Sequence, residues 1–322
     1  AERRRLRPCF VECDFPSPFA ANRQPIPQYG RSVFFICAGV LQIGRTDLSN
    51  TGTILVSAPI SPALTATLTL ITSNTTAAAI SQALAANGIT ETNLRITSVG
   101  GVELLAGNDV DVLAADVTQA GSIFRFGDVD DLTVGTVDGV AGIAANGADV
   151  NLVAGTTLTV LDTADAFDVT TDITGGGLVN ANIVYRADDM VLTAGSVTRA
   201  SAFGTTGFFV WLVPFSNNRN IDVGLGAAVG QLGISAAEIG TLSSNILRIG
   251  YEDVLGDALF NGPNVLFAPV RVSSDDITVT APIVSPGQVV LSLLTGSAAN
   301  GGTITQTAGS TIDWDQLRTE SV

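Results

Sequence analysis

Asp109 and Asp111 carry the first arrangement in this chain that could do chemistry. Carboxylates two positions apart on a strand share one face, and clustered carboxylate oxygens suit calcium. The pair stands in Gly107-Asn-Asp-Val-Asp, a single copy of a Gly-Asp spacing. Such spacings complete an oxygen shell only when tandem copies stack. Asp109 and Asp111 are therefore calcium candidates whose plainer reading is a solvated strand face. Further carboxylates gather at Asp128, Asp130 and Asp131, at Asp162, Asp165 and Asp168, at Asp188 and Asp189, and at Asp275 and Asp276. Beside Arg125, Arg186 and Arg199 they could serve as the acid and base groups of a polysaccharide lyase or hydrolase. Aspartates at turns also accept local backbone hydrogen bonds, which explains most of them without catalysis.

What is missing limits the chemistry further. The chain has no His and no Lys. The first absence removes the commonest general base and metal ligand. The second excludes a phosphate-binding P-loop and Schiff-base chemistry. There is no Gly-x-Ser-x-Gly elbow. Cys9, Cys13 and Cys37 allow one disulfide with a free thiol, or three thiols, and are too few for a zinc site. Asn74-Thr75-Thr76 is a formal glycosylation sequon. No catalytic residue and no cofactor is predicted. The net charge of −15 opposes nucleic-acid binding. No run of about 20 apolar residues marks a transmembrane segment, and no apolar stretch follows the basic start as in a leader.

The positive charge is concentrated at one end. Residues 1–31 hold six Arg against Glu2, Glu12 and Asp14, leaving the rest of the chain at −15 − 3 = −18. Arg3, Arg4, Arg5 and Arg7 open this stretch, and Pro8, Pro16, Pro18, Pro25 and Pro27 keep it out of helix and central strand. Residues 1–38 are read as an irregular arm and cap. The arm either docks on an acidic neighbour or serves as a linker. Two apolar runs, one with Phe34 and Phe35 and one with Phe208, Phe209 and Trp211, are either core strands or contact surfaces for another subunit.

Residues 39–322 have one repeated rhythm. Thr53–Val56, Leu132–Val134, Asp149–Val153, Thr157–Val160, Met190–Thr193 and Asp276–Thr280 alternate apolar and polar residues between Gly, Asn and Asp. Thr75–Asn87 is Ala-rich, but strand and turn are favoured there over helix. Ser235-Ala-Ala-Glu238 is a capping box that predicts one or two helical turns. A long internal repeat relates 40–99 to 246–322. Pro59, Leu68 and Leu70 fall on Pro282, Leu291 and Leu293 at an offset of 282 − 59 = 223. Val40-Leu-Gln-Ile-Gly44 resembles Ile246-Leu-Arg-Ile-Gly250. Val322 falls on Val99 in mid-pattern, so the chain is expected to stop within a longer repeating protein. Short strands, frequent turns and long-range repetition predict an all-β right-handed parallel β-helix with coils of about 20–25 residues. About 13 coils at about 4.8 Å would make a rod near 60 Å.

The runs Asp131-Leu-Thr-Val-Gly-Thr-Val-Asp-Gly-Val-Ala-Gly-Ile143, Gly147–Thr159, Arg219–Gly224, Leu232–Glu238, Leu247–Gly250 and Gly302–Gly309 resemble repeats of filamentous-haemagglutinin-like bacterial exoproteins. The resemblance covers roughly residues 39–322 and implies a secreted β-helical adhesin or fibre at the cell surface. Residues 1–38 depart from that pattern. The expected function is structural and adhesive, with the chain itself and surface glycans as partners. The alternatives are a polysaccharide-processing β-helix enzyme and a phage or capsid fibre component.

Overall fold

Period-two alternation puts every second residue of a strand on one face. In this protein those residues stack from strand to strand along most of the chain. The computed structural model describes residues 39–45, 47, 51–163, 167–171, 181–200, 208–226, 230–251, 255–262, 264–265, 269–284, 290–296 and 302–321. Among them the only helix is the single turn Ala236–Ile239; the regular structure is otherwise strand.

The longest ladder is parallel throughout. Its register links Ile54, Ile80, Val102, Phe124, Val150, Ile183, Val210, Leu247, Val270, Leu291 and Leu317 in one file. From Ile80 to Leu291 every member is at most 3% exposed. Parallel strands need crossovers, and here the crossovers are the rest of each turn of chain. Ten returns carry the chain from Ile54 to Leu317, 317 − 54 = 263 residues, or about 26 each. Four returns, of 21–23 residues, fall within the 20–25 expected from the sequence, and the other six are longer. The returns from Val150 to Ile183 and from Val210 to Leu247 are the longest, and the ladder has eleven strands.

A second ladder runs beside it through Val40–Ile43, Thr67–Thr72, Thr90–Ser98 and 109–117. It then forks. Leu132–Val134, Thr157–Val160 and Asp189–Leu192 continue one branch. Ile143–Ala145, Val169–Thr170, Thr198–Arg199 and Leu242–Ser243 continue the other. The turn between the branches contains Asp138, the only described non-Gly residue with positive φ. Towards the C-terminus a five-strand and a three-strand parallel ladder take over. In the five-strand ladder Asn220–Gly224 lies between Gln231–Ser235 and Ala258–Phe260. Chain order and stacking order are inverted there.

The strands expected from alternation all form, within a residue or two at their ends. The Ala-rich segment is turn with the strand Ile80–Gln82, as expected. The capping box is present: Ser235 Oγ accepts the Glu238 N–H, and Glu238 Oε2 accepts the Ser235 N–H at 2.8 Å. The second oxygen of Glu238 accepts the Leu192 N–H at 3.2 Å, tying the helical turn to an earlier strand.

The internal repeat is real in pairing and shifted in place. Leu68 pairs Leu94 and Leu291 pairs Leu317, at one shared spacing (94 − 68 = 317 − 291 = 26). Ile54 pairs Ile80 as Ile277 pairs Ile304, and the Ile60–Ile89 bridge matches Ile283 with Ile312. Yet Thr67–Thr72 belongs to the second ladder and Val290–Thr295 to the long one. The same two-turn unit has been set down one ladder further round. The likeness of Val40–Gly44 to Ile246–Gly250 has a local cause. Both runs end in a positive-φ glycine, φ 101 and 73, whose added Cβ would meet the Ile71 or Ser273 carbonyl oxygen at 1.9 or 2.0 Å. The strand stacked below Leu291, as Leu41 is stacked below Leu68, is Val270–Ser274 instead.

Candidate binding face of the long ladder

Strand alternation that buries one file of the long ladder exposes another. Arg125, Asn151, Val184, Trp211, Arg248, Arg271, Ser292 and Arg318 are successive register partners on the outward face. Beside them, Phe209 pairs Ile246. Pro269 and Val290 occupy the next two strands, each one residue before a paired, inward-facing residue. A cleft of about 540 Å³ lies over this region, lined by Ile246, Arg248, Pro269, Arg271, Val290 and Ser292 among others. One rail of the cleft is apolar and the other carries two guanidinium groups.

The aromatic pair on the adjoining strand is set by alternation. Phe208 and Val210 point inward and are buried, whereas Phe209 and Trp211 face out and are half-buried. The expected contact surface at Phe208, Phe209 and Trp211 therefore loses Phe208 to the interior. The Phe209 and Trp211 rings meet edge to face, 6.1 Å apart at 80°. The Trp211 indole N–H donates to the Gly250 carbonyl at 2.6 Å, which fixes the ring. The Arg248 guanidinium lies 4.0 Å from the Phe209 centroid and 6.0 Å from that of Trp211, within cation–π range. Burial, and then the like charge of Arg271, lower the Arg248 pKa. Arg248 Nε is buried without a hydrogen-bond partner.

Other arginines are engaged elsewhere. Arg45 pairs Asp47, Arg95 pairs Asp138, Arg125 pairs Glu103 and Arg318 pairs Glu320. Arg186 donates to the Phe215 carbonyl at 3.0 Å and lies over its ring, and Arg199 lies over Phe167. Arg125, Arg186 and Arg199 thus each have a contact of their own, and Asp165 of the carboxylate groups lies outside the described residues.

The carboxylates are similarly absorbed. Asp109 and Asp111 are exposed on one face, as alternation predicts, with Val110 buried between them. Among the described residues no group of three or more Cys, Asp or Glu is placed to hold a metal ion. Asp131 accepts from the Thr156 hydroxyl and the Thr157 N–H, and the Thr156 bond holds its pKa low. Asp128 is buried at the corner between ladders, where Asn108 is its register partner. Its oxygens accept the Val110 N–H at 2.9 Å and the Asp130 N–H at 3.2 Å. Burial outweighs these bonds and pushes its pKa up to about 7. The Tyr185 hydroxyl bonds Thr198 inside the core at 2.9 Å, and burial raises its pKa.

Arg3, Arg4, Arg5, Arg7, Cys9, Cys13, Phe34, Phe35 and Cys37 lie outside the described residues. The pairing of Arg248 with Arg271 was missed in the sequence because the two stand on separate strands, a full turn of chain apart. The usable signal was each Arg at the centre of an apolar–Arg–apolar triplet, Leu-Arg-Ile and Val-Arg-Val. Comparison with family models, curated proteins and solved structures gives no match for this chain.

Proposed function

We propose that the ladders close into a right-handed parallel β-solenoid and that the protein serves as a structural and adhesive segment of an extracellular filament or surface adhesin. The unbroken inward file from Ile54 to Leu317 carries this reading. A file of in-register parallel strands is what a coil stacked on itself produces, and quasi-one-dimensional stacks are used as rods and spacers. Right-handedness follows from the strong preference of parallel crossovers for that hand. The resemblance to filamentous-haemagglutinin-like exoproteins agrees in architecture and supplies the extracellular setting.

Self-association of the chain is part of the proposal, supported by the net of +3 in residues 1–31 against −18 in the rest. Electron microscopy and light scattering of the full chain at low and high salt test the reading. Rods or multimers whose mass falls as salt rises are expected. A globular monomer at all concentrations would overturn it.

A further inference from the structure

We propose that the outward cleft over Arg248, Arg271 and Ser292 binds a linear acidic polysaccharide, with its carboxylates on Arg248 and Arg271 and its sugar rings along the apolar rail. The inference deepens the adhesive half of the proposed function by naming a ligand class, and it rests on that half but not on self-assembly.

Arg248 and Arg271 are direct register partners on adjacent strands, and such strands lie about 4.8 Å apart. Like charges placed opposite each other destabilise a sheet. Arg248 has no ion-pair partner among the described residues, in a chain where acids outnumber bases 30 to 15. Arg271 has a contact of its own within the protein, but its charge still bears on Arg248. An oxyanion held between the two guanidinium groups would make charge-assisted hydrogen bonds to both.

The neighbouring rail narrows the ligand. Ile246, Pro269 and Val290 line the cleft beside the arginines, at or just before the starts of three consecutive strands, and Phe209 and Trp211 stand on the adjoining strand. A fitting ligand is straight, anionic along one edge and C–H-rich along the other, as an acidic sugar chain is. An extended peptide would need backbone partners, and both neighbours of each strand here have already taken them.

Binding of the full chain to polygalacturonate, a neutral glucan, a sulfated polysaccharide and poly-glutamate, each at low and moderate salt, provides the test. Polygalacturonate should bind, the neutral glucan should not, and binding should weaken with salt. Arg248→Gln should weaken binding about tenfold or more, as loss of a partner in a charged contact does. Ser292→Glu, a half-buried outward position, should abolish it without lowering thermal stability, which guards against a folding defect in the arginine variant. Equal binding of the neutral glucan, binding of the sulfated chain or poly-glutamate in place of polygalacturonate, or binding unchanged by Ser292→Glu would overturn the proposal. Light scattering on the same samples separates the two readings. A monomer that binds polygalacturonate leaves the cleft standing without assembly, and a rod that does not bind leaves assembly standing without the cleft.

Discussion

Leu68 and Leu291 are both fully buried, and each pairs with a leucine one return later along the chain, Leu94 or Leu317. They nevertheless lie on different ladders. The repeat therefore preserves which residues face inward and how they stack, while the position of the unit round the stack has moved. A stacked turn requires only that an apolar residue meets an apolar residue in the next turn. Any ladder satisfies that condition.

Leu68→Ala and Leu291→Ala should each destabilise the protein by about 2–5 kcal/mol, the range for a buried leucine truncated to leave a cavity. Leu317→Ala should cost less than about 1 kcal/mol, because half of its surface is already in water. Denaturant midpoints of the three variants check this. Equal losses at Leu291 and Leu317 would contradict the burial difference.

Tyr185→Phe should cost about 1–3 kcal/mol by leaving the buried Thr198 hydroxyl unpaired. Adding Thr198→Val should recover most of that loss, because both polar partners are then gone. A double-mutant cycle measured by denaturation gives the coupling directly.

Stability should fall as pH rises from about 4 towards 8. The folded-state pKa of Asp128, raised to about 7, lies above the ordinary value of 3.8, so between these limits the folded state binds more protons than the unfolded one. The stabilising contribution is complete below the unfolded value and is lost through about pH 7. Glu91, Asp116, Asp189 and Asp222 are shifted upward as well, mainly by burial, and add to the same slope. Asp131 is shifted downward, so its contribution is lost only as pH falls below about 4, outside this window. Asp128→Asn should flatten the profile, since an amide at this position does not titrate. Melting temperatures at fixed ionic strength from pH 4 to 8 measure both effects, and an Asp128→Asn profile as steep as the parent's would remove Asp128 as the cause.

Gly250→Ala should be strongly destabilising. The new Cβ would meet the Ser273 carbonyl oxygen at 2.0 Å, at a φ of 73 that side chains other than glycine seldom adopt. Gly230→Ala also forces a positive φ, of 85, but meets nothing within 4 Å. It should cost only the backbone strain, about 1 kcal/mol. Thermal melts of the two variants separate the clash from the dihedral.

The sequence by itself determined the local structure of this protein. Alternation in runs such as Asp149–Val153, and the capping box at Ser235, depend on neighbours a few residues away, and hydrophobic periodicity and caps are physical properties of such short stretches. It also pointed to a repeat of 40–99 in 246–322, whose pairing holds at Leu68 and Leu291 but not at Val40–Gly44. Only the tertiary structure decided which strands are neighbours round the stack. Returns between register partners on parallel strands range from 11, between Asn220 and Gln231, to 44, between Thr198 and Leu242. Loops of different length close at nearly the same entropic cost, so spacing alone does not set the register. The same freedom brings Arg248 beside Arg271 and Trp211, and divides Phe208 from Phe209. A site made by lateral stacking is spread over segments whose separation carries no period, and it exists only once the ladders have formed.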